Sequence, residues 1–231
     1  MNITLDNSTA NQNTILKENN CKYCSGFLKQ GYDKTNSPWD EILFETDNFV
    51  VVSTLGAIVE GWLLIVSKDH YLCMGALPKS LWPELLDLKS FFSNLLTEIY
   101  GPITMFEHGP HSEKLDIGCG IDHAHLHLVP LKFSLLSRAT DSAEISGPIW
   151  YKLHSLEQTA KFYNDRKSFI FIEEPNCSIS CCTLNSAPCQ FIRKLIAREI
   201  GVHSKYNYWK HDFKENVILT VEKVKKTLDN Y

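Results

Sequence analysis

The chain has 231 residues, 44% of them hydrophobic and 22% charged, with a formal net charge of −4. That composition is globular and long enough for one large domain or two small ones. It offers no global basic field for nucleic acid or an anionic membrane, and no apolar run approaches the length of a membrane span.

The first twenty residues lack a basic start followed by an apolar core, so they read as a polar N-terminal arm and not as a signal peptide. Without such a signal, the eight cysteines argue for a reducing, cytoplasmic compartment over a disulfide scaffold. After the arm comes the pair Cys21 and Cys24, in "CKYC". The alternating, β-branched stretch "EILFETDNFVVVSTLG" predicts two strands about a turn at Asp47 and Asn48. "GWLLIVSKDH", from Gly61 to His70, reads as a buried strand. A helix follows, with Ser80 as its cap and Pro83 in its first turn. Its stripe is Leu81, Leu85, Leu88, Phe92, Leu95 and Ile99, and Gly101 stops it. "ITMFEHG" is a strand, "DIGCG" a Gly-rich loop, and "IDHAHLHLVP" another strand. "SRATDSAEISGP" reads as a joint. Beyond it the pattern gives a helix in "HSLEQTAKFYN", strands in "FIFIEE" and "SISCCTL", a helix in "APCQFIRKLIAREIG" and a last helix from Lys214 to Leu228.

This order predicts an α+β fold. Residues 1–20 form the arm, and residues 21–132 a domain with a mainly antiparallel sheet and a long helix packed on it. Residues 133–231 form a smaller α/β extension that packs on that domain.

His123, His125 and His127 stand at alternate positions of one strand and therefore share one face, while Ala124, Leu126 and Leu128 take the apolar one. Three imidazoles in register after a Gly-rich loop point to chemistry. Neutral imidazole binds metal or attacks phosphorus, and the protonated form donates to a phosphate or leaving group. The residues alone leave both a metal site and nucleophilic or acid–base catalysis open.

"HAHLHLV" resembles the pattern of the histidine triad (HIT) superfamily, His-φ-His-φ-His-φ-φ with φ apolar, at every position. "GWLLIVSKDH" resembles that family's Gly-x-Leu-Val-Ile-x-Lys-x-His strand, and "CKYC" the Cys-x-x-Cys of its zinc-bearing branch. "QFIRKLIAREIG…YNYWKHDFKEN" is similar to a C-terminal extension of some larger bacterial members. The resemblance implies a HIT-like fold and a nucleotidyl-histidine mechanism. In it His125 attacks the α-phosphorus of a nucleoside phosphate conjugate, and His127 stands beside the phosphate and the leaving oxygen to donate a hydrogen bond or a proton there. It also implies one structural Zn²⁺ per chain, held by Cys21, Cys24, His70 and His123, a four-ligand set with no open position. Backbone N–H groups of Gly118, Cys119 and Gly120 would serve the phosphate.

Some positions depart from the pattern. Thr54 stands where relatives carry an acidic residue for ribose, and Cys119–Gly120 where they carry Gln-Ser. Glu107, His108 and His111 stand near a usual asparagine and are candidates for substrate binding. Arg193, one helical turn from Gln190, is a candidate phosphate ligand with that glutamine. The transferase branch replaces the third histidine by glutamine, so His127 favours hydrolysis of a phosphoanhydride or phosphoramidate. A nucleotidyltransferase or phosphorylase with a non-water acceptor remains the alternative, as does a non-catalytic nucleotide- or zinc-binding module. The expected partner is a nucleotide or nucleotide conjugate, with no membrane and, on charge, no nucleic acid. A homodimer is left open.

Overall fold

The computed structural model describes residues 21–25, 28, 37–113, 121–145, 148–184 and 187–231. The N-terminal arm and the Gly118–Gly120 loop lie outside the described residues.

Among the described residues the strands are β1 (Ile42–Glu45), β2 (Phe49–Ser53), β3 (Leu63–Ser67), β4 (Ile103–Gly109), β5 (His125–Pro130), β6 (Ile149–Leu153), β7 (Ser168–Glu173) and β8 (Ile179–Leu184). The helices are α1 (Lys22–Ser25), α2 (Trp82–Tyr100), α3 (Leu135–Thr140), α4 (Thr159–Asn164), α5 (Phe191–Glu199) and α6 (Lys214–Leu228). The strands form one sheet in the order β1-β2-β3-β5-β4-β7-β8-β6. Every pairing is antiparallel. This is the expected α+β architecture. Strands from the C-terminal part lengthen the sheet itself, because β7 pairs directly with β4.

The long helix carries the predicted stripe: Leu85, Leu88, Phe92 and Leu95 are buried. Its start differs from the sequence reading. A 3-10 turn over Lys79–Leu81 occupies the place given to the cap, and the helix enters at Trp82 with Pro83 in its first turn. Gly101, at φ +91, turns the chain out of it and donates its N–H to the Thr97 carbonyl oxygen at 2.9 Å. The helix packs on β4 and β5. Lys89 reaches Glu173 at 2.8 Å, and the register sets Glu173 beside Met105 and Met105 beside Leu128. That face of the sheet is therefore the helix face, and the histidines of β5 occupy the other. Leu126 and Leu128 are fully buried, each contributing about 1.5–3 kcal/mol of hydrophobic stabilisation that holds β5 in place.

Three of these elements were absent from the sequence reading, the single turn α1 among them. The joint contains α3, capped by Ser134 Oγ, which accepts from the Ser137 N–H at 3.1 Å. The edge strand β6 is largely exposed.

The C-terminal part also grips the loop between β2 and β3. The Gly56 N–H donates to the Asp212 carbonyl oxygen at 2.9 Å. Asn216 Nδ2 donates to the carbonyl oxygens of Ala57 and Ile58, and the Gly61 N–H to Thr220 Oγ1 at 2.8 Å. Lys223 pairs with Glu60 at 2.7 Å. The loop's course is thus set by residues about 160 positions later, as the numbering of each pair shows.

Candidate active site

Four residues distant in sequence meet at one end of β5. Cys21 immediately precedes the single turn α1 and Cys24 lies within it, His70 follows β3, and His123 precedes β5. One donor atom from each lies within 4.8 Å of all the others. His123 Nδ1 is 3.4 Å from both sulfurs, and His70 Nδ1 is 3.4 Å from the Cys24 sulfur. A tetrahedral zinc with ordinary bond lengths sets sulfur and nitrogen about 3.6 Å apart, so this cluster can hold a metal ion. His123 is also oriented for it. Its Nε2–H donates to the Ser67 carbonyl oxygen at 2.6 Å, which leaves the Nδ1 lone pair facing the sulfurs. Cys24, then His123 and His70, pull the Cys21 thiol down to about 2 against burial; a thiolate is the metal-binding form.

The next two histidines line a cavity of about 200 Å³. His125 Nδ1 lies 2.6 Å from the His123 carbonyl oxygen. A carbonyl only accepts, so the ring hydrogen is on Nδ1 and the Nε2 lone pair is available. Burial brings His125 down to about 4, which keeps that lone pair unprotonated at neutral pH. His127 has the opposite tautomer. Its Nδ1 accepts the indole N–H of Trp62 at 3.0 Å, so its one hydrogen is on Nε2. Its ring stacks on Phe106 with centroids 4.2 Å apart and planes 9° apart. The His125 and His127 centroids are 4.8 Å apart. The two rings thus present a bare nitrogen and an N–H side by side.

The other sequence candidates separate. His108 lines the cavity, and burial lowers it to about 3. Glu107 does not join it: one residue along β4, it points to the helix face and accepts the Met74 N–H at 2.6 Å. Burial raises it to about 8. His111 bonds Ser168 Oγ at 2.9 Å and is not part of the cavity lining. Gln190 is buried at the start of α5, where its Oε1 accepts the Tyr208 N–H at 3.3 Å. Arg193 borders the cavity, but its guanidinium donates to the Tyr206 carbonyl oxygen at 3.0 Å and to that of Gly56. It is thus a buried clamp on those two carbonyl oxygens. Gly118, Cys119 and Gly120 lie outside the described residues. Of the remaining cysteines, Cys73, Cys181 and Cys182 are buried thiols.

Several cavity residues were missed in the sequence. Trp39 and Asp40 come from a Pro-led 3-10 turn before β1. The turn signal was there in "SPWD", but nothing in it says which way the side chains face. Thr54 shares the wall with Asp40. Lys22 and Tyr23, between the two cysteines, also line it, as do Tyr208 and Trp209 of the C-terminal part. Lys22 Nζ sits 3.5 Å over the Trp209 ring, so α1 and the C-terminal part meet at the cavity wall.

No family model matches the chain, and no curated protein does. Among solved structures, it is similar in part to a hypothetical histidine triad nucleotide-binding protein of Sulfolobus tokodaii. Identity there is 16%, the match covers 40% of this chain and 62% of that one, and the TM-score is 0.34. A HIT family hydrolase from Clostridium thermocellum matches at 18% identity over 50% of this chain and 94% of its own, with a TM-score of 0.36. Yeast Ap4A phosphorylase in complex with AMP matches at 17% identity over 62% of this chain and 58% of its own, also with a TM-score of 0.36. No described helix is long and apolar enough to cross a membrane.

Proposed function

We propose that the chain is a histidine-triad nucleotide hydrolase, cleaving a nucleoside phosphate conjugate at its α-phosphorus through a nucleotidyl-His125 intermediate. The observation that carries this reading is the complementary pair of tautomers: a bare Nε2 on His125 beside an Nε2–H on His127. His125 Nε2 attacks phosphorus and forms the N–P bond. The bond from phosphorus to the leaving group breaks, and its electron pair departs with the leaving atom. His127 donates a hydrogen bond to that region as charge develops. Substituted at Nε2, the His125 ring is cationic, and the His123 carbonyl oxygen faces its Nδ1–H. Water then attacks phosphorus, the N–P bond returns its pair to His125, and the water's proton passes to solvent.

Asp40, like Thr54, lines the cavity, and we assign its carboxylate to the ribose hydroxyls. The four-residue cluster is assigned to one structural Zn²⁺. Zinc would tie α1 to the start of β5, and so hold Lys22 and Tyr23 against the cavity.

The test is incubation with adenine and guanine nucleotide conjugates, read by intact mass and by products. A mass increase of one nucleoside monophosphate on the wild type, absent in His125→Ala, is the expected result. Full turnover by His125→Ala would sink the mechanism. Product formed only with an acceptor other than water would make the chain a transferase.

A further inference from the structure

Trp62 bonds to the histidine pair without itself lining the cavity. It opens the strand segment "WLLIVS" and is fully buried. Its indole N–H is committed to His127 Nδ1 at 3.0 Å. The Trp62 ring meets Phe106 edge-on at 5.8 Å, and Phe106 in turn carries the His127 ring. On the other side lies Arg193, whose guanidinium carbon is 5.0 Å from the Trp62 ring centre. Two carbonyl oxygens, of Tyr206 and Gly56, fix that guanidinium. Both the indole and the imidazole are therefore held in orientation.

An imidazole nitrogen that accepts an N–H cannot take a proton without turning that contact into two donors facing each other. His127 Nδ1 is in that position. The single ring hydrogen stands on Nε2, and giving it away would leave an imidazolate. His127 thus donates a hydrogen bond but not a proton. Burial first, then His125, His108 and Arg193, also hold it well below its ordinary value.

That restriction bears on the leaving group. A phosphate or polyphosphate oxygen departs as a stable anion, with its charge spread over several oxygens. It needs hydrogen bonds and no proton. An amine released from a P–N bond must gain a proton as the bond breaks. We infer that Trp62 confines the enzyme to phosphoanhydride conjugates and excludes phosphoramidates, by keeping His127 a neutral donor. In balance, the N–P bond to His125 forms, the P–O bond of the anhydride breaks, and the electron pair stays on the departing phosphate oxygen. Trp62 is a positioning residue here, and Arg193 holds it in place. The inference rests on the reading of His127 as the neighbour of the leaving group.

The experiment compares diadenosine polyphosphate with adenosine 5′-phosphoramidate, in the wild type and in Trp62→Phe. In the wild type, kcat/KM for the anhydride exceeds that for the phosphoramidate by ~100-fold or more, the scale of a missing general acid. Trp62→Phe keeps an aromatic ring and frees Nδ1 to be protonated, so the ratio falls by ~10-fold or more through kcat. Equal use of both conjugates by the wild type, or an unchanged ratio in a folded Trp62→Phe protein, would overturn the inference. A second measurement needs no variant: a nitrogen–nitrogen coupling across the hydrogen bond between the Trp62 indole and His127 Nδ1, by NMR. Its presence, with His127 as the Nε2–H tautomer, is expected, and its absence overturns the inference whether or not Trp62→Phe folds. Failure of the wider reading looks different: no conjugate yields a His125 adduct, while the coupling is still seen.

Discussion

The carbonyl oxygen of His123 accepts the Nδ1 hydrogen of His125 at 2.6 Å. The residue whose side chain faces Cys21 and Cys24 thereby fixes, through its backbone, the tautomer of the proposed nucleophile. The candidate metal cluster and the proposed catalytic pair are one construction with a shared residue.

Metal loss should therefore reach the cavity. Purified protein is expected to carry about one zinc per chain, and Cys24→Ser close to none, by elemental analysis. The same variant should melt several degrees lower, since ~1 kcal/mol corresponds to roughly 2–4 °C for a chain of this size. It should also raise KM, because Lys22 and Tyr23 lose their anchor. Wild-type protein without metal would remove the zinc assignment.

Asp40 is expected to distinguish ribose from deoxyribose. Asp40→Asn keeps the shape and removes the charge, so KM for a ribonucleotide conjugate should rise by ~10-fold, about the worth of one charge-assisted hydrogen bond. KM for the 2′-deoxy conjugate should change much less. An equal rise for both would place Asp40 elsewhere in the mechanism.

Glu107 makes stability fall with rising pH. Its folded value, raised by burial to about 8, lies above the ordinary 4.5. Between those values the folded state binds more protons than the unfolded one. Its contribution is thus complete below about 4.5 and is lost as pH climbs through about 8. Glu107→Gln can still accept the Met74 N–H and has no charge to bury. Denaturation at pH 5 and pH 8 should show the variant gaining about 1 kcal/mol or more on wild type between the two. Turnover should stay within ~3-fold of wild type, since the side chain faces the helix side.

Gly56 is where the C-terminal part docks. Its φ is +72, and an added Cβ would lie 2.5 Å from the Tyr208 Cβ and 2.8 Å from the Arg193 guanidinium. Gly56→Ala should cost about 2 kcal/mol or more, from strain and from the clash together. It should also lower kcat, because the Arg193 that it displaces holds Trp62. A thermal melt and a rate measurement check the two parts separately.

The periodic features were legible in the sequence. Alternation located β1 and β2, an apolar run of strand length located β3, helical spacing located α2, and the last helix, placed at about Lys214 to Leu228, spans those residues. Glu107 shows a reading that stopped short. The alternation that divides His125 from Leu126 also divides His108 from Glu107, and it was applied to one strand and not to the other. Arg193 is a different case. A spacing of three residues puts it one helical turn from Gln190, and no local pattern reveals that a glycine loop from another part of the chain will cover it. Trp62 read only as one more apolar residue of a buried strand. The bond that orients His127 comes from a register pairing that no single strand displays. β6 escaped because an exposed edge strand has little alternation to detect.

The position of β4 governs how the chain can be divided. All seven of its residues are buried, and it bonds to β5 on one side and β7 on the other. A protein cut before β6 would keep every histidine discussed here, yet would expose the β7-facing N–H and C=O groups of a strand that is buried throughout. Such an open, apolar edge invites other chains to add to it and so to aggregate. The piece that bears the histidines therefore depends on the residues from β6 onward for its solubility, before any question of what those residues do for the proposed chemistry.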